Sequence, residues 1–197
     1  MSVVPLAPRW PLETERLVLR PFTEDDFDAL HEMRSDAGVS RYLYNEPQSP
    51  DQTRELLQVK IAAASLSEEG QWLSAAAGLR ETGEVVGDVG LCWVSAEHRQ
   101  GELGYVVHPA HQGRGYATEA ARPLLAFGFE TLGLHRIVGR LDARNAASVR
   151  VLEKLGMRLE AHFAENEWVK GEWTSELVYA VLATELQSRL PPARPGI

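Results

Sequence analysis

The 197-residue sequence predicts one mixed α+β domain. Three observations carry this: short apolar runs with strand alternation, four helical patterns interleaved with them, and a glycine loop where a strand hands over to a long helix. Residues 12–21 (LETERLVLRP) alternate as a first strand. Thr23-Glu24-Asp25-Asp26 reads as a capping start for a short helix to about Ser35. Residues 50–68 open on Pro-Asp-Gln and place Leu56, Leu57, Lys60 and Ile61 at amphipathic spacing, a second helix. Strands are expected at 72–80 and 85–94, with Glu81-Thr82-Gly83-Glu84 as a hairpin turn. Strand 102–107 enters the glycine loop, and a third helix covers 115–132, bent slightly by Pro123. Residues 137–142 form a strand, and 146–155 a fourth helix that stops at Gly156. Residues 157–163 and 174–183 are the last two strands. Residues 1–10 read as an N-terminal extension, 11–187 as the domain, and 188–197 as a loose proline-rich tail.

Bulk properties narrow the function. A hydrophobic fraction of 44% and a charged fraction of 24% are ordinary for a globular chain with a real core. A formal net charge of -8 argues against a dedicated nucleic-acid binder, which needs a basic face. It suits a cationic or amine partner. Cys92 is the single cysteine, so no intrachain disulfide can form, and a cytoplasmic location is expected. Its apolar setting, Val89 to Val94, reads as a buried small hydrophobe. The opening MSVVPLAPRWP lacks a secretory pattern, and no apolar stretch approaches the ~20 residues of a membrane span, so no membrane partner is expected. No His/Cys cluster has metal spacing, so no metal is expected.

The most informative stretch is LGYVVHPAHQGRGYATE, Leu103 to Glu119. Strand, glycine loop and helix start present bare backbone N–H groups to a phosphate. Gly113 and Gly115 let the main chain turn sharply, and Arg114 adds fixed positive charge. No Gly-Lys-Ser/Thr follows, so this is not a Walker loop, and the three glycines of a dinucleotide fingerprint are missing. Gln112, Gly115 and Ala117 fit the pattern Gln/Arg-x-x-Gly-x-Gly/Ala, which resembles the pyrophosphate motif of the GNAT superfamily of acetyl-CoA-dependent N-acetyltransferases. Residues 135–157 (HRIVGRLDARNAASVRVLEKLGM) extend the resemblance: Asn145, then Ser148, then Glu153-Lys154-Leu155-Gly156 are similar to the RimJ/RimL branch of ribosomal-protein N-terminal acetyltransferases. The runs Glu13 to Arg20 and Trp173 to Tyr179 resemble that branch too, so the likeness spans about residues 11–187.

The resemblance implies a central, mostly antiparallel twisted sheet of about seven strands with about four flanking helices. Two parallel strands, here 102–107 and 137–142, would splay to admit the pantetheine arm, with Gly104 as a plausible bulge residue. It also implies acetyl transfer from acetyl-CoA directly to a primary amine, either a protein N-terminus or a small molecule, by a monomer or homodimer. The residues Gln112, Gly113, Arg114, Gly115, Tyr116, Ala117 and Thr118 would hold the pyrophosphate. A strand N–H at Val106 or Val107 would face the thioester carbonyl. Asn145 would contact pantetheine or cap its helix, or both.

Glu102 is the first candidate base, acting through water, with a solvated strand-end charge as its plainer reading; Glu176 is the second, with a surface position as its plainer reading. His108 reads as a turn histidine able to titrate near neutrality, and His111 as a loop residue near the phosphates. Many GNAT enzymes carry a tyrosine seven positions after the asparagine; here that position is Leu152. Ser148 is then a candidate to hydrogen-bond the sulfur, or to cap the helix. Trp72, Trp93, Trp168 and Trp173 read as an aromatic cage or, at strand spacing, as core and rim packing. Segment 36–51 is expected at the acceptor rim, with Arg41 its one candidate partner for a succinyl group. A non-catalytic acyl-CoA sensor is the reading from outside enzymology.

Overall fold

The computed structural model describes residues 5–187. An eight-stranded sheet runs in the order β1-β2-β3-β4-β5-β6-β8-β7. The strands are β1 Leu12–Glu13, β2 Leu17–Arg20, β3 Trp72–Leu79, β4 Val85–Ser95, β5 Gln100–Val107, β6 Arg136–Asp142, β7 Arg158–Val169 and β8 Glu172–Leu182. Every neighbouring pair is antiparallel except β5 and β6. Among the described residues the α-helices are α1 Phe27–Ser35, α2 Ala37–Ser40, α3 Pro50–Ala62, α4 Tyr116–Ala126, α5 Ala146–Lys154 and α6 Ala183–Gln187.

Two cores explain the layers. Phe22, Leu30, Met33 and Leu57 bury α1 and α3 against Ala76 and Val85 on one face of the sheet. Ala121, Leu124 and Leu152 bury α4 and α5 against Val89, Leu91, Leu103 and Ile137 on the other. Side chains alternate along a strand, so β4 and β5 present Asp88, Gly90, Glu102 and Gly104 to the α1–α3 face.

Several expectations are corrected. The run 12–21 is two strands folded back as a hairpin, Leu12 opposite Leu19, closed where the Leu17 amide donates to the Thr14 hydroxyl at 3.0 Å and the Thr14 amide donates to the Leu17 carbonyl. The second helix ends at Ala62, with Ser49 and Gln52 as a reciprocal capping box and Pro50 just inside. After Pro123 the third helix changes pitch: Phe127–Thr131 is a π turn, and the Leu132 amide donates to Phe127. The last strands are longer than expected and meet at Lys170-Gly171, both at positive φ. Of the N-terminal extension, Leu6 bridges Leu66 and the Trp10 indole donates to the Ala64 carbonyl, so residues 5–10 pack on the domain. The expected tail, 188–197, lies outside the described residues. No helix among the described residues is long and apolar enough to cross a membrane.

Candidate active site

The parallel pair sets the geometry. β5 and β6 pair only over Gln100–Glu102 and Arg136–Val138. Beyond Glu102, β5 stays with β4 while β6 stays with β8, and a wedge opens between them. The splay falls where expected, but Gly104 is not a bulge: it stands in regular register opposite Gly90. Its role is close approach. A Cβ at Gly104 would lie 3.2 Å from the Trp72 ring, and one at Gly90 would lie 2.9 Å from the Leu73 carbonyl and 3.2 Å from the same ring. The indole therefore spreads over two bare backbones as the floor of a cavity of about 440 Å³. This cavity passes through the splay, from Trp72 and Asp88 on one face to Asn145 and Ser148 on the other.

Hydrogen-bond alternation decides which strand amides face the wedge. The His108 N–H donates to Val86 on β4, so by register the Val106 N–H also turns toward β4. Those of Val107 and Tyr105 turn toward the wedge. Of the two amides offered by the sequence, Val107 is the usable one; Val106 instead packs its side chain against the α1–α3 core. The Gln112 side-chain Nε2 donates to the Val107 carbonyl at 3.2 Å, which ties the loop to this strand.

The geometry of the loop suits an anion. Gly113 and Gly115 have φ of +77° and +83°, a left-handed backbone that L side chains rarely adopt. Gly115 stands at the start of α4 and no side chain caps that helix, so the first-turn amides and the positive end of the helix dipole are left for a ligand. The Thr118 hydroxyl is buried with no hydrogen-bond partner. An uncapped helix start beside an orphaned hydroxyl fits a pyrophosphate. Arg16, which sequence reasoning missed, braces the loop: it donates to the Arg114 carbonyl at 3.1 Å, lies 4.7 Å over the Tyr116 ring, and pairs with Glu119. Burial works to raise the Glu119 carboxyl, but Thr14 and Arg16 outweigh it and hold it below the usual range. Ala117 is buried inward from the loop.

The two histidines serve the framework. His108 Nδ1 accepts from the Ala110 amide and its Nε2 lies 2.8 Å from Glu32. His111 is buried against Glu84 at 2.8 Å.

Two carboxylates and one guanidinium meet where the wedge begins to open. Arg140 Nε lies 3.6 Å from Glu102, and Arg140 Nη1 lies 3.2 Å from Glu176. Glu176 is buried rather than at the surface. Burial pushes the Glu102 carboxyl up; Arg140 opposes this and Glu176 adds to it. Asn145 caps α5, its Oδ1 accepting from the Ser148 amide at 3.1 Å, so the capping role belongs to Asn145 and not Ser148. Ser148 lines the cavity, and its carbonyl accepts from the Tyr105 hydroxyl at 3.2 Å. Burial pushes that phenol up to about 12. Tyr105 thus brings a hydroxyl to the region of the missing tyrosine, a contact spanning 43 residues that no local pattern signals.

The 36–51 segment does form a rim. Arg41, Tyr42 and Tyr44 line a second cavity of about 170 Å³ with Arg140 and Arg144, so Arg41 is not alone there. The exposed Tyr44 hydroxyl donates to Glu167 at 2.9 Å. The tryptophans divide: Trp72 floors the cavity, Trp93 packs on the core, and Trp168 and Trp173 are exposed and meet edge to face at 5.3 Å.

Residues 16–158 match the family model of the acetyltransferase (GNAT) domain. The uncharacterized N-acetyltransferase p20 of Bacillus licheniformis is 32% identical over 175 residues, 88% of this chain and 97% of its own. The spermidine N(1)-acetyltransferase of Escherichia coli K12 is 26% identical over 160 residues, 81% of this chain and 82% of that protein. A GNAT-family acetyltransferase structure from Bacillus anthracis superposes with a TM-score of 0.79 at 31% identity, covering 89% of this chain and 99% of that one. Vibrio cholerae spermidine N-acetyltransferase, solved with CoA and spermine, gives 0.74 at 23% identity over 88% and 99%, a likeness of fold.

Proposed function

We propose an acceptor for this chain, which belongs to the GNAT acetyltransferase family and is an acetyl-CoA-dependent N-acetyltransferase: a small primary amine entering from the α1–α3 face. The observation that carries this is the cavity through the splay, with Glu102 in its wall and Trp72 as its floor. The loop Gln112–Thr118 would hold the pyrophosphate, and the Val107 and Tyr105 amides would line the pantetheine arm. Acetyl-CoA supplies the acyl carbon that the amine attacks. Glu102 takes the ammonium proton through a water, its raised basicity suiting it to that step. Ser148, with the Tyr105 hydroxyl beside it, donates toward the sulfur. The relatives that acetylate spermidine support an amine acceptor of low mass. A protein N-terminus is the second reading, supported by the RimJ/RimL-like run from Asn145 to Gly156.

Calorimetry with acetyl-CoA, succinyl-CoA and free CoA, followed by thiol release on an amine panel, tests this. Acetyl-CoA binding with turnover on small amines is expected. Binding without turnover on any amine would favour a sensor, and a preference for succinyl-CoA would replace the acyl group. Gly115→Asp places a carboxylate where the pyrophosphate would sit and strains a left-handed position. It is expected to weaken acetyl-CoA binding by about tenfold to a hundredfold. Arg114→Ala should weaken it by less.

A further inference from the structure

The acceptor face carries a second charge centre that the transfer chemistry does not use. Asp88 on β4 is buried and receives two cations: Lys60 from α3, at 2.9 and 2.7 Å to its two oxygens, and Arg34 from α1. Two cations against one carboxylate leave a surplus positive charge. The Arg34 Nε is buried and has no hydrogen-bond partner. All three residues line the same cavity as Glu102.

The two centres bracket the reacting position. By register, Asp88 lies beside Val106 and Glu102 lies four residues along the same strand, about 13 Å at the rise of a β-strand. The Trp72 indole covers Gly90 and Gly104 midway between them. At the other end, Glu102 and Glu176 share the single Arg140, a surplus of negative charge. The cavity therefore has a cationic end, an apolar floor and an anionic end. The anionic end suits an ammonium. The cationic end would repel the far amines of a polyamine and attract an anion.

Resting on the acceptor reading above, we propose that the Arg34–Asp88–Lys60 cluster selects an acceptor bearing a carboxylate on the same molecule as its amine, of the ω-amino acid or short-peptide class. The cluster lies on the α1–α3 face, whereas the phosphate loop and α5 lie on the opposite face, so the anion belongs to the acceptor and not to the acyl donor.

The test compares kcat/KM for ω-amino carboxylates of increasing length and for dipeptides, each against its carboxamide, with spermidine as the polycation. Wild-type protein is expected to favour the carboxylate over its amide by about tenfold at the best length, the scale of one charge-assisted hydrogen bond. Arg34→Gln leaves a one-to-one Lys60–Asp88 pair, and Lys60→Met leaves a one-to-one Arg34–Asp88 pair. Each should bring the ratio near one while turnover of the amides persists. Because the ratio is internal to one folded sample, a purely structural cluster would lower yield or stability without moving it. Equal rates on carboxylate and amide in wild type, spermidine as the best acceptor, or turnover of no amine by protein that binds acetyl-CoA would each overturn the proposal. So would a preference for succinyl-CoA that the same variants remove, since the anion would then sit on the donor. Failure to bind acetyl-CoA at all would instead remove the transferase reading beneath it.

Discussion

Glu102→Gln is expected to lower kcat/KM for amine acetylation by about 10²–10⁴-fold while leaving acetyl-CoA affinity unchanged. The substitution keeps the shape but removes the charge and the proton acceptor. The carboxyl lies at the point where β5 and β6 part, and burial there pushes it above the usual carboxylate range. The sign follows directly. The base acts in its ionised form, so kcat/KM should fall as pH drops through that raised value. The acidic limb of the profile should stand above the ordinary carboxylate range and be absent from the variant. Thiol release measured against pH for both proteins checks this. Unchanged turnover in the variant would transfer the role to Glu176, which Arg140 joins to the same centre.

Asp88→Asn is expected to destabilise the fold by about 3–5 kcal/mol, because it strands the buried Lys60 and the half-buried Arg34 that now share one carboxylate. In a chain of this size that corresponds to a fall of about 6–20 °C in Tm. Burial works to raise the Asp88 carboxyl, but Lys60 and Arg34 outweigh it and hold it below the usual range. Its contribution is therefore present above the unfolded-state value and is lost as pH falls through the lower native one. Chemical denaturation across pH should show wild type losing this increment on acidification and the variant having none to lose. A loss under about 1 kcal/mol at neutral pH would mean that the cluster is solvated and worth little. Arg34→Gln, which keeps a neutral pair, should cost less than Asp88→Asn.

These two residues differ in how far the sequence reveals them. Glu102 opens a strand that runs into the glycine loop, so chain order alone brings it to attention. Asp88, Arg34 and Lys60 come from three elements, with 54 and 28 residues separating the carboxylate from its two partners. No spacing rule links them. The alternation of residues 12–21 likewise runs through a chain reversal, because Thr14 closes the turn with its own hydroxyl and no glycine or proline marks it.

By itself the sequence determined what local chemistry determines: the strand, glycine loop and helix of the phosphate site, the element order and the mixed class of the fold. Those features depend on backbone dihedrals and side-chain periodicity within a few residues of one another. Tertiary structure decided which carboxylate is buried and which amide faces the wedge. It also decided that Asn145 caps α5, leaving the Ser148 side chain free of that task, and where a surplus of charge collects on the acceptor face. Each of these depends on strand register and on groups distant in sequence sharing one low-dielectric cavity. There, burial and neighbouring charge set protonation.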